Sequence, residues 1–230
     1  MSSPDREPVL GLIMLDTQFP RIKGDIGNPA TFEFPVIYER VSGATAQRVV
    51  KEADSGLLEP FIEAARKLET RGATMISTSC GFLAMYQQEL SACVEIPVLT
   101  SSLLQLKTAP IMLKSSQSLG VMTVSSDSLT EKHFSALGVR RSDYPIIGMD
   151  KDSEFVSVFL GNKTELNESL CCQEMVETAQ RFVANNPNLG AIVLECTNMP
   201  PYSNAIRQAT GLPVFDVVTL LNYAKSSLLG

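Results

Sequence analysis

The chain has 230 residues, 44% of them hydrophobic, which is enough for a full core and too apolar for a disordered segment. Lys and Arg number 19 against 25 Asp and Glu, so the net charge is −6 and the cationic excess that neutralises nucleic-acid phosphates is missing. A single histidine, His133, excludes a zinc site built on several His and leaves a Ser-His-Asp triad only if His133 serves it.

Strand-length apolar runs alternate with amphipathic helical stretches. Val9 to Leu15 is a continuous apolar run, as in a strand buried on both faces. Residues 16–44 are irregular and rich in Pro and Gly, and read as a long loop of the kind that is usually functional, with Gly24 to Pro29 as a lid or wall of the pocket. Ala46 to Leu68 reads as a helix broken near Gly56 to Pro60, with Leu57, Leu58, Phe61, Ile62, Ala65 and Leu68 at helical spacing. Gly72 ends it. Strands are predicted over Ala73 to Ser77, Ile96 to Leu99, Leu119 to Val124, Tyr144 to Ile147, Ala191 to Leu194 and Pro213 to Phe215. Helices are predicted over Phe82 to Ala92, Ser102 to Leu113, Leu129 to Leu137, Asn167 to Ala184, Tyr202 to Ala209 and Val217 to Leu228. Repeated β-α-β units of this kind predict parallel sheets covered by helices.

No apolar run approaches the ~18 residues of a membrane span, and residues 1–8 carry no apolar leader, so the chain reads as cytoplasmic by default. The five cysteines are Cys80, Cys93, Cys171, Cys172 and Cys196. Their odd count and the lack of a Cys-x-x-Cys pair argue against a disulfide framework or a zinc ribbon.

The chain also contains its own repeat. Ala73 to Cys80 and Leu189 to Cys196 are each a strand ending in Cys. Pro97 and Pro213 each stand 17 residues beyond their cysteine, and Leu104 and Leu220 each stand 24 beyond. Leu10-Gly11-Leu12-Ile13-Met14 matches Leu119-Gly120-Val121-Met122-Thr123. The repeat predicts two similar α/β halves, related by a pseudo-two-fold axis with a cleft between them. The first covers 1–107 plus the C-terminal helix 216–230, and the second covers 108–215. Ligands bind such sheets at the carboxyl ends of the strands, where both cysteines sit.

A thiol is an acid and, once ionised, a base. A strand-to-helix junction aims backbone N–H groups at the sulfur and favours the thiolate. Two thiols on opposite faces of a carbon acid can take a proton from one side and return one from the other, while junction N–H groups hold the substrate carboxylate. Structural burial, a redox pair and a covalent nucleophile are the rival uses of these cysteines.

Ser77-Thr78-Ser79-Cys80-Gly81-Phe82 and Glu195-Cys196-Thr197-Asn198-Met199-Pro200 resemble the two cysteine motifs of the aspartate/glutamate racemase superfamily, and the resemblance spans essentially the whole chain. It implies two α/β halves with the site between them. It further implies a cofactor-independent, metal-free racemase or epimerase of an amino acid or related carboxylate, with Cys80 and Cys196 as the acid/base pair. Hydantoin racemases, maleate isomerases and arylmalonate decarboxylases share the superfamily. The decarboxylases keep only the second cysteine, so Cys80 favours the racemases. A related isomerase or decarboxylase, and a non-catalytic small-molecule or redox-sensing protein, remain as alternatives.

Two departures stand out. Gly81-Phe82 replaces the Asn-Thr that comes after the first Cys in many members, with Phe82 expected to make the pocket more apolar. Asn198 stands where glutamate racemases carry His, so neither His nor an acid is expected beside Cys196. The candidate binding residues are Asp16, Ser79, Gly81, Phe82, Thr123, Ser125, Thr197 and Asn198. Asp16 would face the cleft, as an acidic residue often does there in the family, or else cap a turn. Thr123 and Ser125 would bind a carboxylate or cap the next helix. Arg21 and Lys23 read as solvated loop charges, with a clamp on a second carboxylate as the alternative. Cys93, Cys171 and Cys172 read as packing residues, and His133 as a surface or core residue with no catalytic task. The expected partner is a small-molecule carboxylate rather than nucleic acid or membrane, and a homodimer is left open.

Overall fold

The computed structural model describes residues 7–52 and 55–228. The leaderless reading of the amino terminus falls largely on residues 1–6 and lies outside the described residues. Within residues 7–52 and 55–228, no helix is long and apolar enough to cross a membrane.

Among the described residues, eight strands form two four-stranded, all-parallel sheets. The first holds β1 (Leu10–Met14), β2 (Val36–Arg40), β3 (Met75–Thr78) and β4 (Val98–Leu99), in the order β2-β1-β3-β4. The second holds β5 (Ser118–Thr123), β6 (Ile146–Gly148), β7 (Leu189–Leu194) and β8 (Val214–Phe215), in the order β6-β5-β7-β8. The two orders are the same when each strand is matched to its repeat, so the internal repeat is a repeat of topology. The α/β fold expected from the sequence is the fold observed. Strands β1, β3, β5 and β7 are central and almost wholly buried, which is why they read as unbroken apolar runs.

Helix α1 (Leu58–Thr70) buries Phe61, Ala64, Ala65 and Leu68 along one stripe. The chain leaves it through Gly72 at φ +94°, a left-handed conformation that glycine adopts without steric cost. Upstream, Ala46 to Leu68 is not one helix. A short π-helical turn, Gln47–Lys51, precedes it, and residues 53–54 are not described. Helix α2 (Gln87–Ala92) comes after a 3-10 helix, Gly81–Tyr86, that begins one residue after Cys80. The stretch after β4 is 3-10 throughout, Ser102–Lys107 and then Ala109–Met112, with Pro110 at the interruption.

The second half carries α3 (Glu131–Ser135), α4 (Glu154–Phe159), α5 (Glu168–Asn185) and α6 (Ser203–Thr210). The chain ends in α7 (Val217–Leu228), which packs Val217 and Leu221 against Leu10, Leu12 and Met75 of the first sheet. Each such fully buried side chain contributes about 1.5–3 kcal/mol relative to exposure.

Two elements go beyond those the sequence predicts. Strand β2 lies inside the stretch that reads as loop, and pairs in parallel with β1 from Leu10–Val36 to Met14–Arg40. Helix α4 has no counterpart among the predicted helices or strands. Ser153 caps it by accepting from the Val156 N–H at 3.2 Å.

Gly120 lies in the centre of β5, and a Cβ there would stand 2.6 Å from the Phe182 ring and from Leu189. Gly120→Ala is expected to cost about 1–3 kcal/mol through overpacking, because a buried ring has no free direction to move. A lower urea midpoint with unchanged slope is the expected reading.

Candidate active site

Each cysteine sits two residues beyond a central strand, Cys80 after β3 and Cys196 after β7. Both line one cavity of about 30 Å³, room for roughly one water. Ser79, Gly81, Thr197 and Asn198 line it too, with Glu195 on the inner side and Leu15, Thr17, Phe19, Ala46, Val124, Phe159 and Leu160 forming the rest of the wall. Phe19 meets Phe159 edge-on at 4.9 Å, and the Gln18 N–H donates to Asn162 Oδ1 at 2.7 Å. These two contacts join the loop after β1 to the turn after α4 over the cavity.

The two halves are also tied directly, since Thr197 Oγ1 donates to the Ser79 carbonyl at 2.7 Å. Ser79 Oγ accepts from the Leu15 N–H at 2.9 Å. Asn198 Nδ2 donates to Asp25 Oδ2 at 2.6 Å, and its Oδ1 accepts from the Cys196 thiol at 3.5 Å. Behind it, Arg21 Nη1 meets Asp25 Oδ1 at 2.8 Å, with side-chain exposures of 12% for Arg21 and 2% for Asp25. Arg21 is therefore a half-buried ion-pair partner and not a solvated loop charge. The stretch 17–28 forms part of the wall and braces the cavity from behind.

Four candidates from the sequence lie elsewhere. Asp16 does not face the cavity. Its Oδ2 accepts from the Gly43 N–H at 2.9 Å and fixes the turn after β2, a capping role that short acidic side chains fill readily. Phe82 turns its ring into the core, edge-on to His133 at 5.0 Å, and only its N–H reaches the Cys80 sulfur. The apolar wall comes instead from Leu15, Phe19, Val124, Phe159 and Leu160. Thr123 is fully buried and donates through Oγ1 to Glu195 Oε2 at 2.7 Å. Ser125 Oγ bonds Lys51 Nζ at 3.1 Å and Ser128 Oγ at 2.9 Å. Cys93, Cys171 and Cys172 pack against the hydrophobic core, and His133 is buried beside Phe82.

Glu195 is the functional candidate that sequence reasoning passes over. An acid does stand beside Cys196, on the strand side and not the helix side. It is fully buried, and its Oε1 has no hydrogen-bond partner. Burial pushes its carboxyl up to about 8, against the pull of the Thr123 hydrogen bond. Burial also pushes the Cys80 thiol up to about 12 and the Cys196 thiol well above its usual range. The N–H groups of Phe82 and Asn198 act in the opposite direction and do not overcome desolvation. The junctions therefore do not make a standing thiolate, contrary to the expectation from sequence. The six-residue 3-10 helix after Cys80 is also too short to sum a large dipole.

The two parallel α/β halves have the fold of solved racemase and decarboxylase structures. Arylmalonate decarboxylase superposes with a TM-score of 0.65 at 15% identity, covering 97% of this chain and 93% of that one. Allantoin racemase from Klebsiella pneumoniae gives 0.66 at 14%, covering 96% and 87%. Picrophilus torridus aspartate racemase gives 0.56 at 15%, covering 97% and 96%. Within this fold, the chain belongs to the dimethylsulfoniopropionate lyase family. It is 30% identical to the dimethylsulfoniopropionate lyase of Durusdinium sp. clade D over 225 residues, 93% of this chain and 73% of the relative. It is 30% identical over 230 residues to dimethylsulfoniopropionate lyase 7 of Emiliania huxleyi (strain CCMP1516), 96% of this chain and 67% of the relative. No family model matches the chain.

A carboxyl raised from 4.5 to about 8 has a stability signature. Between those values the folded chain holds a proton on Glu195 that the unfolded chain releases, so this group's contribution to stability falls as pH rises through the window. Urea midpoints at pH 5 and pH 8 are expected to drop more for the native protein than for Glu195→Gln.

Proposed function

We propose that the chain is a lyase for a β-sulfonium carboxylate, with dimethylsulfoniopropionate as substrate and the thiols of Cys80 and Cys196 at the reacting carbon. The observation that carries this reading is the placement of both thiols on one cavity in a chain of this family. The carboxylate would lie against the backbone N–H groups at the two strand-helix junctions, where first-turn donors lack intrahelical acceptors. The sulfonium methyls would lie against Phe19, Phe159 and Leu160. Aromatic faces attract cations, and the Arg21 guanidinium already lies 4.6 Å from the Phe19 ring centre. The cavity is smaller than such a substrate, so the Phe19–Phe159 and Gln18–Asn162 contacts would part on binding.

In this reading one thiolate removes the proton α to the carboxylate. The electron pair forms the carbon–carbon double bond, and the β carbon–sulfur bond breaks with its electrons leaving on dimethyl sulfide. Acrylate remains, and the abstracted proton stays on the thiol until it is lost to solvent. Junction N–H groups facing the carboxylate stabilise the enediolate character that develops as the proton leaves. The sulfonium cation of the substrate also favours the thiolate that burial opposes.

Amino-acid racemisation is the second reading. It is favoured by the pairing itself, since elimination needs one base and inversion needs two. The purified chain is expected to release dimethyl sulfide into the headspace from dimethylsulfoniopropionate, read by gas chromatography. Cys80→Ala and Cys196→Ala are each expected to lose about 10²–10⁴-fold, the range for a positioned acid or base. Absence of dimethyl sulfide, with solvent deuterium entering the α carbon of D- or L-amino acids instead, would replace the lyase by the racemase.

A further inference from the structure

Glu195 is without solvent exposure and comes directly after β7, next to Cys196. One of its oxygens is held by Thr123, and the other, Oε1, has no partner. The residue lines the cavity that Cys80 and Cys196 share. Gly81 makes the space for it, since a Cβ on Gly81 would collide with the Glu195 carbonyl oxygen and with Oε1. The glycine after the first cysteine and the acid before the second are thus one packed unit reaching across the two halves.

Few other charges face the thiols. Arg21 acts on Cys80 and Asp25 on Cys196, and these two pair with each other at 2.8 Å. The 3-10 helix Ser102–Lys107 contributes only the Ser102 hydroxyl, which donates to the Leu194 carbonyl at 2.6 Å. Glu195 is left as the acid of the cavity with no cationic partner among the described residues.

We propose that Glu195 is a positioning residue that sets the charge of the thiol pair. As a neutral acid it leaves the cavity able to hold one thiolate, and as a carboxylate it keeps both thiols protonated. Burial raises all three acids but leaves Glu195 at about 8 and Cys80 at about 12, so the first negative charge among them goes to Glu195. Its charge raises both thiols further. The inference rests on these thiols being the reacting groups, as proposed above, and it is tested on the thiols with no substrate present.

The experiment is alkylation by iodoacetamide between pH 6 and pH 10, followed at Cys80 and Cys196 separately by mass spectrometry. The native protein is compared with Glu195→Gln and Thr123→Val. Glu195→Gln keeps the shape of the side chain and removes its ionisation. It is expected to alkylate at the native rate near pH 6 and about tenfold faster at pH 9, one pK unit's worth. Thr123→Val removes the hydrogen bond that favours the carboxylate, so Glu195 ionises at higher pH and alkylation at pH 9 also rises. Superposable profiles for the native protein and a folded Glu195→Gln, or slower alkylation in that variant, would overturn the proposal. If Glu195→Gln does not fold, Thr123→Val decides on the same two outcomes. A wrong substrate would show in the dimethyl sulfide measurement and leave the alkylation profiles as expected.

Discussion

Desolvation at the meeting of the two sheets governs everything the cavity can do. Cys80, Cys196 and Glu195 are all acids, all buried, and all pushed toward their neutral forms by the loss of water. Two unit charges about 5 Å apart at an effective dielectric near 20 repel by roughly 3 kcal/mol, so a second anion in so small a space is strongly opposed. Once one of these three acids ionises, its charge opposes ionisation of the other two, and the physical question for catalysis is which of them carries it. A substrate that brings a fixed cation changes the balance for all three acids at once. That gives a zwitterionic sulfonium carboxylate an advantage over a plain carboxylate in the proposed reaction.

The two halves match in where they place the thiols and differ in what surrounds them. The sheets have the same strand order and place the cysteines at equivalent junctions. The residues on the helix side of each cysteine differ. After Cys80 comes Gly81, whose missing side chain admits Glu195. After Cys196 come Thr197, which bonds back to Ser79 of the other half, and Asn198, which bonds to Asp25. Gly81 leaves room for an acid from the opposite strand, and Phe82 turns into the core against His133.

The elements that sequence makes visible are those whose pattern is set by their own burial. Strands β1, β3, β5 and β7 are buried on both faces and read as apolar runs, and α1 shows its stripe from Phe61 to Leu68. Strand β2 is hidden because it is a half-buried edge strand of only three apolar residues, Val36 to Tyr38, with Glu39 and Arg40 after them and a Pro-rich stretch before. Helix α4 is hidden because Phe155, Val156, Val158 and Phe159 have strand-like chemistry, and its Ser153 cap is the deciding signal. The cysteine pair is legible from repeat spacing, a property of the sequence alone. Glu195 is not, because its significance is a burial, and the space for it is provided by a glycine 114 positions away. Asp16 misleads for a related reason, since a strand-end Asp serves a turn or a cleft equally well until Gly43 is seen beneath it.

The part-buried Arg21–Asp25 pair is explained by what Asp25 does with its second oxygen. Burying an ion pair seldom adds stability, because desolvation offsets most of the attraction. Asp25 Oδ1 takes Arg21 and the Gly27 N–H, while Oδ2 takes the Asn198 amide nitrogen. That choice of partner fixes the amide, which otherwise has two nearly equivalent orientations, so that the Asn198 oxygen faces Cys196. The thiol then meets an acceptor on one side and the Asn198 backbone N–H on the other, suited to the protonated and ionised forms in turn. A neutral residue at position 25 could hold the Asn198 side chain, but it could not also neutralise Arg21, whose positive charge acts on Cys80. The loop whose Arg21 reads as a solvated charge is thereby the element that makes the two thiols electrostatically unequal.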